Sequence, residues 1–267
     1  MLSYECSAFV GTIWNIIHHK LHLKKLCSEF VPHFLSAKER KQRKEACVEN
    51  LYFWDSAGPR KLGDILAADE AWFWSYGIEN RKHNLVWMGE DDERPEVFGP
   101  GFSRKKWLLT LFFNNQGLVA IDVVPKNNTV NATYFTRKVL PKAIEGIRNQ
   151  RSTVGTSRTY LLQDNASAHK AKVTQEFLVQ HKIRLVTHPP YTPDLSPCDF
   201  FLFPKLKEKL VGRKFQRPQD LVKAIKSEME SIPQSAYRGA FEAWIHRMKL
   251  CVKRGGGYFE GMRSNLK

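Results

Sequence analysis

The chain has 267 residues, a formal net charge of +15 and a pI of about 9.6. This length allows one large domain and a small appended one, and 42% hydrophobic residues with 12% aromatics exclude a disordered chain. The five cysteines are scattered without a CxxC pair, which argues against a disulfide framework and a zinc site. No apolar run reaches the roughly 18 residues of a membrane span, so no membrane partner is expected. The excess positive charge indicates a polyanionic partner, unless it serves solubility alone.

The first predicted element is an amphipathic helix over residues 10–26, where apolar residues recur at helical spacing opposite histidines and lysines. Thr12 is the predicted N-cap of this helix. A charged helix with Ser36 as its cap follows over residues 36–50. We place a domain boundary in this charged segment, which could contact DNA phosphates.

The rest of the chain alternates between strands and helices, as in an α/β fold. Strands are predicted over residues 64–68, 107–113, 117–124, 159–163 and 183–187. Helices are predicted over residues 132–148, 170–181, 200–211 and 218–231. Residues 114–117 predict a hairpin turn between the second and third strands. The order predicts three antiparallel strands, a helix, and a strand–helix–strand unit.

Three aspartates stand at the ends of predicted elements. Asp69 follows the apolar run 65–68, Asp164 ends the strand 160–163, and Asp199 follows a proline-rich segment, with 34 residues between the last two. Taken singly, a turn aspartate or a helix N-cap would explain such residues. Together they predict a two-metal phosphoryl-transfer site, because Mg²⁺ prefers carboxylate oxygens.

These motifs resemble those of the mariner transposases, in the mariner/Tc1 superfamily, whose catalytic residues are Asp, Asp and, after 34 residues, Asp. The matching segments are 30–35, 69–72, 164–169, 188–197 and 202–207. The resemblance implies a ribonuclease-H-like catalytic domain, an α/β fold with a mixed sheet flanked by helices. It also implies that Asp69, Asp164 and Asp199 are the catalytic residues and bind two Mg²⁺ (or Mn²⁺) ions. The reaction would be cleavage of a DNA strand at the transposon end, followed by attack of the 3′-OH on target DNA.

The resemblance further implies a domain organisation and partners. Residues 1–35 would be a remnant of the second helix-turn-helix, 36–60 a charged linker, and 61–267 the catalytic domain. With the first helix-turn-helix missing, the chain is not expected to transpose on its own. The expected partners are double-stranded DNA, as transposon inverted repeats and a TA target, and a second copy in a homodimer. The expected location is the nucleus.

Basic residues in two segments are the candidate DNA contacts. They are Lys20, Lys24, Lys25, Lys205, Lys207, Lys209, Arg213 and Lys214. Those after residue 200 interleave with apolar residues, which predicts a helix with one face on the core and a basic face near DNA. For any single lysine, a merely solvated position explains the pattern equally well.

Four polar neighbours of the aspartates have simpler interpretations. Asp194 lies in a Pro-Asp-Leu turn and is predicted to be structural. Glu70 should point away from Asp69 if the strand continues. Asn165 and His169 would support the strand-to-helix turn, or else position a phosphate or the attacking water.

A second function class stays open, namely a degenerate or domesticated transposase-derived protein that binds DNA without catalysis. The intact set of aspartates favours the enzyme. Mariner transposase domains also occur fused behind histone methyltransferase domains. Nothing in this sequence resembles that methyltransferase, so no histone methyltransferase activity is expected.

Overall fold

The fold is described from a computed structural model. It describes residues 8–21, 32–55, 61–75, 105–126, 128–151 and 155–259, together with Cys6 and Thr153. The chain divides into two compact units. The smaller contains Met1–Pro32 with Glu260–Lys267, and the larger is His33–Phe259.

The smaller unit contains one short helix, α1 (Val10–Asn15), which continues as a π-helical turn over Ile16–Lys20. None of these residues is buried. The prediction of Thr12 as N-cap is wrong, because the helix begins two residues earlier and Phe9 occupies the cap without a side-chain hydrogen bond. Predicted helical residues beyond Leu21, including Lys24 and Lys25, lie outside the described residues, as does Phe30 of the motif at 30–35.

The larger unit is built on one five-stranded mixed sheet. Its strands are β1 (Ile65–Trp74), β2 (Lys106–Asn114), β3 (Gly117–Val123), β4 (Tyr160–Leu162) and β5 (Arg184–Leu185). Their spatial order is β3-β2-β1-β4-β5. The first three strands are antiparallel, whereas β4 runs parallel to both β1 and β5. The three antiparallel strands and the following strand–helix–strand unit are as predicted, and the mixed sheet confirms the ribonuclease-H-like α/β fold class.

Helices cover both faces of the sheet. They are α2 (Ala37–Trp54), α3 (Ala132–Tyr134, a π-helical segment Phe135–Val139, and Leu140–Gln150), α4 (Ser167–Lys170), α5 (Lys172–Gln180), α6 (Phe203–Lys209, after a π-helical segment Cys198–Leu202), α7 (Pro218–Ser231) and α8 (Gln234–Lys253). In the described part of the chain, none of them is long and apolar enough to cross a membrane. The long helix α8 was not predicted, although Tyr237, Phe241, Trp244, Met248 and Cys251 recur at helical spacing and are buried.

Side chains alternate along β1 between two hydrophobic cores. Ile65, Ala67 and Phe73 belong to the core formed with α2 and α6–α8. Leu66 and Ala68 belong to the opposite core, formed with α3 and α5. The position of a residue along β1 therefore decides which face of the sheet its side chain occupies.

Strand β1 is longer than predicted. The prediction that it ends before Asp69 is wrong, since the strand continues to Trp74, paired with Lys106 of β2. Its parallel pairing with β4 covers only Ile65–Ala67. Asp69 therefore reaches solvent because the neighbouring strand β4 has ended, not because its own strand has.

Helix α2 begins at the predicted cap. The Ser36 hydroxyl accepts a hydrogen bond from the Glu39 N–H at 3.3 Å, and the Glu39 carboxylate accepts one from the Ser36 N–H at 2.7 Å. This capping box satisfies two backbone donors of the first turn. The helix lies within the larger unit and packs against α8, with Cys47 and Trp54 in the core.

A buried ion pair connects α2 to the proline-rich loop. Arg43 donates two hydrogen bonds to the Asp194 carboxylate, at 2.9 and 2.6 Å, and the two side chains are 0% and 1% exposed. The same guanidinium donates to the carbonyls of Gly256 and Tyr191, at 2.8 and 3.2 Å. Glycine at position 256 lets its turn pack closely against the backbone of α2, because a Cβ there would lie 1.9 Å from the Arg40 carbonyl oxygen. Asp194 is therefore structural, as predicted.

We predict that Arg43→Ala lowers the free energy of unfolding by roughly 3–5 kcal/mol, because it leaves the Asp194 carboxylate buried without a cation. Urea denaturation followed by circular dichroism measures the change. Lys41→Ala is the matched control. Lys41 is exposed on the same helix and pairs with Glu45 at 3.8 Å, so its loss should cost less than about 0.5 kcal/mol. Equal effects of the two variants would contradict the structural role of the buried pair.

Candidate active site

A cavity of about 430 Å³ opens at the edge of the sheet where β4 ends. Its walls come from β1, from the turn after β4, and from the proline-rich loop 188–197. Asp69, Asp164 and Asp199 all line it. The structure thus brings together three carboxylates that lie far apart in the sequence, as the motif spacing predicted.

Asp69 lies on the face of β1 that carries Ala67 and Ala71, and its carboxylate accepts the Glu70 N–H at 2.7 Å. Burial, and next the negative charge of Asp199, raise the pKa of Asp69 to about 8. Glu70 and Asp164 add to this repulsion. The Asp69 carboxyl is therefore held in an environment that disfavours its own negative charge.

Asp199 lies in the first turn of the π-helical segment Cys198–Leu202, with Pro197 at the N-cap position. An N-cap role is thus excluded. Burial raises the pKa of Asp199, while hydrogen bonds with the side chains of Ser196 and Asp69 act in the opposite direction. Two carboxyl groups joined by a hydrogen bond share a proton, so both can be ionised only when a cation takes the place of that proton.

Asp164 follows β4 and is fixed by two hydrogen bonds to one oxygen. Its Oδ1 accepts the Ala166 N–H at 3.0 Å and lies 2.7 Å from Nδ1 of His169. Burial would raise the pKa of Asp164, but these two hydrogen bonds outweigh it and hold the pKa below its usual value. In the described part of the chain Oδ2 accepts no hydrogen bond, so an ionised oxygen faces the cavity.

His169 on α4 lies between two carboxylates and is 3% exposed. Its Nε2 is 3.7 Å from Glu70, whose carboxylate also accepts a hydrogen bond from the Thr110 hydroxyl at 3.2 Å. Burial acts to lower the pKa of His169, but Asp164 and Glu70 together raise it to about 10. Glu70 points away from Asp69, as predicted, and pairs with His169. The charged His169 imidazole in turn orients Asp164.

The proline-rich loop forms the wall opposite the sheet. Asn165 donates its side-chain N–H to the carbonyl of His188, and the His188 Nε2 is 2.8 Å from the Thr192 hydroxyl. Burial lowers the pKa of His188 to about 4, so the ring is neutral. Asn165 and His169 thus act as supports of the turn, the interpretation favoured from the sequence. His188 was not singled out, although it begins the proline-rich motif.

The donor set fits divalent metal ions. Carboxylate oxygens are the ligands that Mg²⁺ and Mn²⁺ prefer, and a divalent cation would offset the repulsion that raises the pKa of Asp69. Among the described residues, no three acidic, histidine or cysteine side chains lie in an arrangement that could hold a metal ion by themselves. An ion at this site would therefore take part of its coordination from water or from a phosphate, as Mg²⁺ commonly does.

The predicted basic residues of the larger unit lie on and just after α6. Lys205, Lys207 and Lys209 are exposed, and so are Arg213 and Lys214. Arg213 is already paired with Glu228 at 2.8 Å. In the smaller unit Lys20 is exposed at the end of its π-helical turn, whereas Lys24 and Lys25 lie outside the described residues.

A ribonuclease-H-like sheet with three carboxylates at the edge where β4 ends defines a metal-dependent nuclease or polynucleotidyl transferase. The model of the family "DDE superfamily endonuclease" matches residues 66–222, which is more than half of the chain. The chain belongs to this family.

Two curated relatives extend the comparison. The chain is 26% identical over 253 residues to the human histone-lysine N-methyltransferase SETMAR, covering 92% of this chain and 36% of that protein. It is 26% identical over 238 residues to the Mariner Mos1 transposase of Drosophila mauritiana, covering 86% of this chain and 66% of that protein. The chain thus spans about one third and just under two thirds of these relatives. The predicted relationship to mariner transposases is confirmed.

Solved structures agree on the fold. The Mos1 transposase paired-end complex with left transposon end aligns with a TM-score of 0.81 at 20% identity, covering 97% of this chain and 74% of that one. The catalytic domain of Mos1 mariner transposase aligns with a TM-score of 0.70 at 21% identity, covering 86% of this chain and all of that one.

We predict that without divalent metal Asp69→Asn is more stable than the wild type at about pH 8–9, and that the difference shrinks towards about pH 5. A carboxyl whose pKa is raised on folding binds its proton more tightly in the folded state, so the wild type loses stability as the pH rises from about 4 to about 8. Asparagine is neutral throughout. Urea denaturation in EDTA at several pH values measures this. An equal stability difference at every pH would contradict it, and Asp55→Asn, at an exposed position, serves as the control.

Proposed function

We propose that this chain is the catalytic region of a mariner-type DNA transposase, which cleaves a DNA strand and transfers its 3′ end. The observation that carries this proposal is the convergence of Asp69, Asp164 and Asp199 in one cavity of a DDE-family fold. A degenerate protein that only binds DNA would not need to keep three mutually repelling carboxylates in place.

We further propose that two divalent ions bind at this site. Solved Mos1 paired end complexes include one with Mg and another with Mn, which supports divalent metals in a related protein. When bound, such ions activate a water and neutralise charge on the phosphate. Asp69, Asp164 and Asp199 would hold these ions, and the free Oδ2 of Asp164 would be one of the ligand atoms.

The chain's own residues would orient the reacting groups. His169 and the Ala166 N–H hold Asp164 in one rotamer, so its free oxygen keeps a fixed direction. The Arg43–Asp194 pair and Tyr191 fix the loop that precedes Asp199. The protein thus supplies positioning and charge complementarity, and no side chain needs to become a covalent intermediate.

The proposed substrate is double-stranded DNA, as transposon inverted repeats with a TA target. The solved Mos1 structures include a complex with a left transposon end and a strand transfer complex, and the exposed lysines of α6 lie on the helix that follows Asp199. We also propose a homodimer, since each of two transposon ends needs an active site, and a nuclear location, since the target is chromosomal DNA. No methyl transfer is proposed, because the matched family is an endonuclease.

We predict that Asp69→Asn, Asp164→Asn and Asp199→Asn each lower metal-dependent nicking by roughly 100-fold or more, because each removes a charged metal ligand. The measurement is nicking of a short labelled duplex with Mg²⁺ or Mn²⁺. Asp55→Asn should nick like the wild type, since Asp55 pairs with Lys249 on the surface. No metal-dependent nicking by the wild type would favour the DNA-binding protein without catalysis.

We predict salt-sensitive DNA binding through α6. With six or more phosphate contacts, affinity should fall by roughly 10³-fold between about 50 and about 200 mM salt. Replacing Lys205, Lys207 or Lys209 with alanine should lower the slope of log affinity against log salt by about 0.9 each. Arg213→Ala should have a smaller effect, because Arg213 pairs with Glu228. Lys172→Ala on α5 is the control, and a flat salt response would leave the charge to solubility alone.

A further inference from the structure

Arg247 on helix α8 connects that helix to the segment that carries Asp199. It lies between Trp244 and Cys251, at helical spacing from both, so it stands beside the buried stripe of α8 and is itself half-buried. Its guanidinium donates a hydrogen bond to the backbone carbonyl of Asp194 at 3.0 Å. A charged group of the last described helix therefore contacts the proline-rich loop directly.

The same guanidinium packs against an aromatic ring next to Asp199. Its central carbon lies 4.2 Å from the ring centroid of Phe200 and 5.7 Å from that of Phe259. A cation within about 6 Å of an aromatic ring is attracted to the face of that ring. Arg247 therefore holds one segment at two points, at the residue five positions before Asp199 and at the residue directly after it.

The direction of the Asp199 carboxylate depends on the backbone of this short segment. The Asp199 N–H donates hydrogen bonds to the carbonyl and the hydroxyl of Ser196, at 3.0 and 3.4 Å. Asp199 lines the active-site cavity, whereas Phe200 packs against the core formed with α2 and α6–α8. A shift of Phe200 or of the preceding loop would therefore move the carboxylate within the cavity.

Arginine suits position 247 because both contacts use the planar shape of its side chain. A guanidinium can stack on a ring through its face and donate hydrogen bonds from its edge at the same time. Lysine would keep the positive charge but has no planar face. An exchange of arginine for lysine therefore separates the effect of shape from the effect of charge at this position.

We propose that Arg247 is a positioning residue for Asp199, which it holds at the distance from Asp69 that the binding of divalent ions requires. Asp69 and Asp199 contact each other through a hydrogen bond, so a small displacement of either carboxyl group changes the ligand geometry that the pair offers. Loss of a group that orients a metal ligand typically lowers metal affinity or activity by roughly 10- to 100-fold. The inference rests on the proposed function, because it concerns ion binding by Asp199.

The first measurement is thermal unfolding of the full chain in EDTA and at rising Mn²⁺ concentrations. Arg247→Lys should unfold in EDTA close to the wild type, but should need roughly 10-fold more Mn²⁺ for half of the metal-dependent stabilisation. Phe200→Leu should have the same effect, and the double variant should add little, because each change breaks the same contact. Arg238→Lys, at an exposed position on the same helix, is the matched control and should behave like the wild type.

DNA binding in EDTA separates positioning from a direct DNA contact. Arg247→Met and Arg238→Met each lose one positive charge, so both should bind a short duplex with similar affinity. An unchanged Mn²⁺ requirement in Arg247→Lys would overturn the inference. A greater loss of DNA affinity in Arg247→Met than in Arg238→Met would then make Arg247 a DNA contact instead.

Crystal structures of the wild type and of Arg247→Lys, both grown in EDTA, test the inference independently of the proposed function. The Asp199 carboxyl group should lie further from Asp69 in the variant, and an unmoved carboxyl group would overturn the positioning role. A wild type that Mn²⁺ does not stabilise would contradict the proposed metal site alone. The position of Asp199 in the two structures would still decide the role of Arg247.

Discussion

The ion pair between Arg43 and Asp194 is the interaction on which the position of the active site depends. It joins helix α2, the proline-rich loop and the turn after α8, three segments that are distant from one another in the sequence. The carbonyl of Tyr191, whose φ of 57° is unusual for a residue with a side chain, accepts hydrogen bonds from Arg43 and Tyr258. Such a conformation is kept only where its surroundings fix it. The loop that precedes Asp199 is therefore held rigid before any substrate binds.

The carboxylates of the active site, in contrast, lower the stability of the folded chain. Burial and mutual repulsion disfavour the charges of Asp69 and Asp199, whereas Asp164 is stabilised by His169. The site thus pairs two carboxyl groups with disfavoured charge and a third that stays ionised. This difference favours cation binding, because a metal ion interacts most strongly with negative charge that has no other partner. Glu70 takes part from the opposite face of β1, through the imidazole of His169.

Sequence patterns predicted the strands and their order along the chain, because turns and apolar runs are local features of the sequence. The hairpin turn at residues 114–117 and the apolar runs that form β1, β2 and β4 are set by periodicity and turn chemistry. The cap at Ser36 was predictable for the same reason. The end of β1 was not, since a strand stops where its partners stop, and β2 supports it to Trp74. Helix α8 was missed because its apolar residues are spread over 20 residues among charged ones.

By itself the sequence determined the family, the three aspartates and the structural role of Asp194, because the residue types and the spacing of 34 are local and specific. Only the tertiary structure decided which groups fix the positions of those aspartates and shift their pKa values. Arg43 lies 151 residues from Asp194, and Glu70 lies 99 residues from His169, so no local pattern could pair them. Burial and charge depend on the neighbours that folding brings into contact, and these neighbours are distant in the sequence.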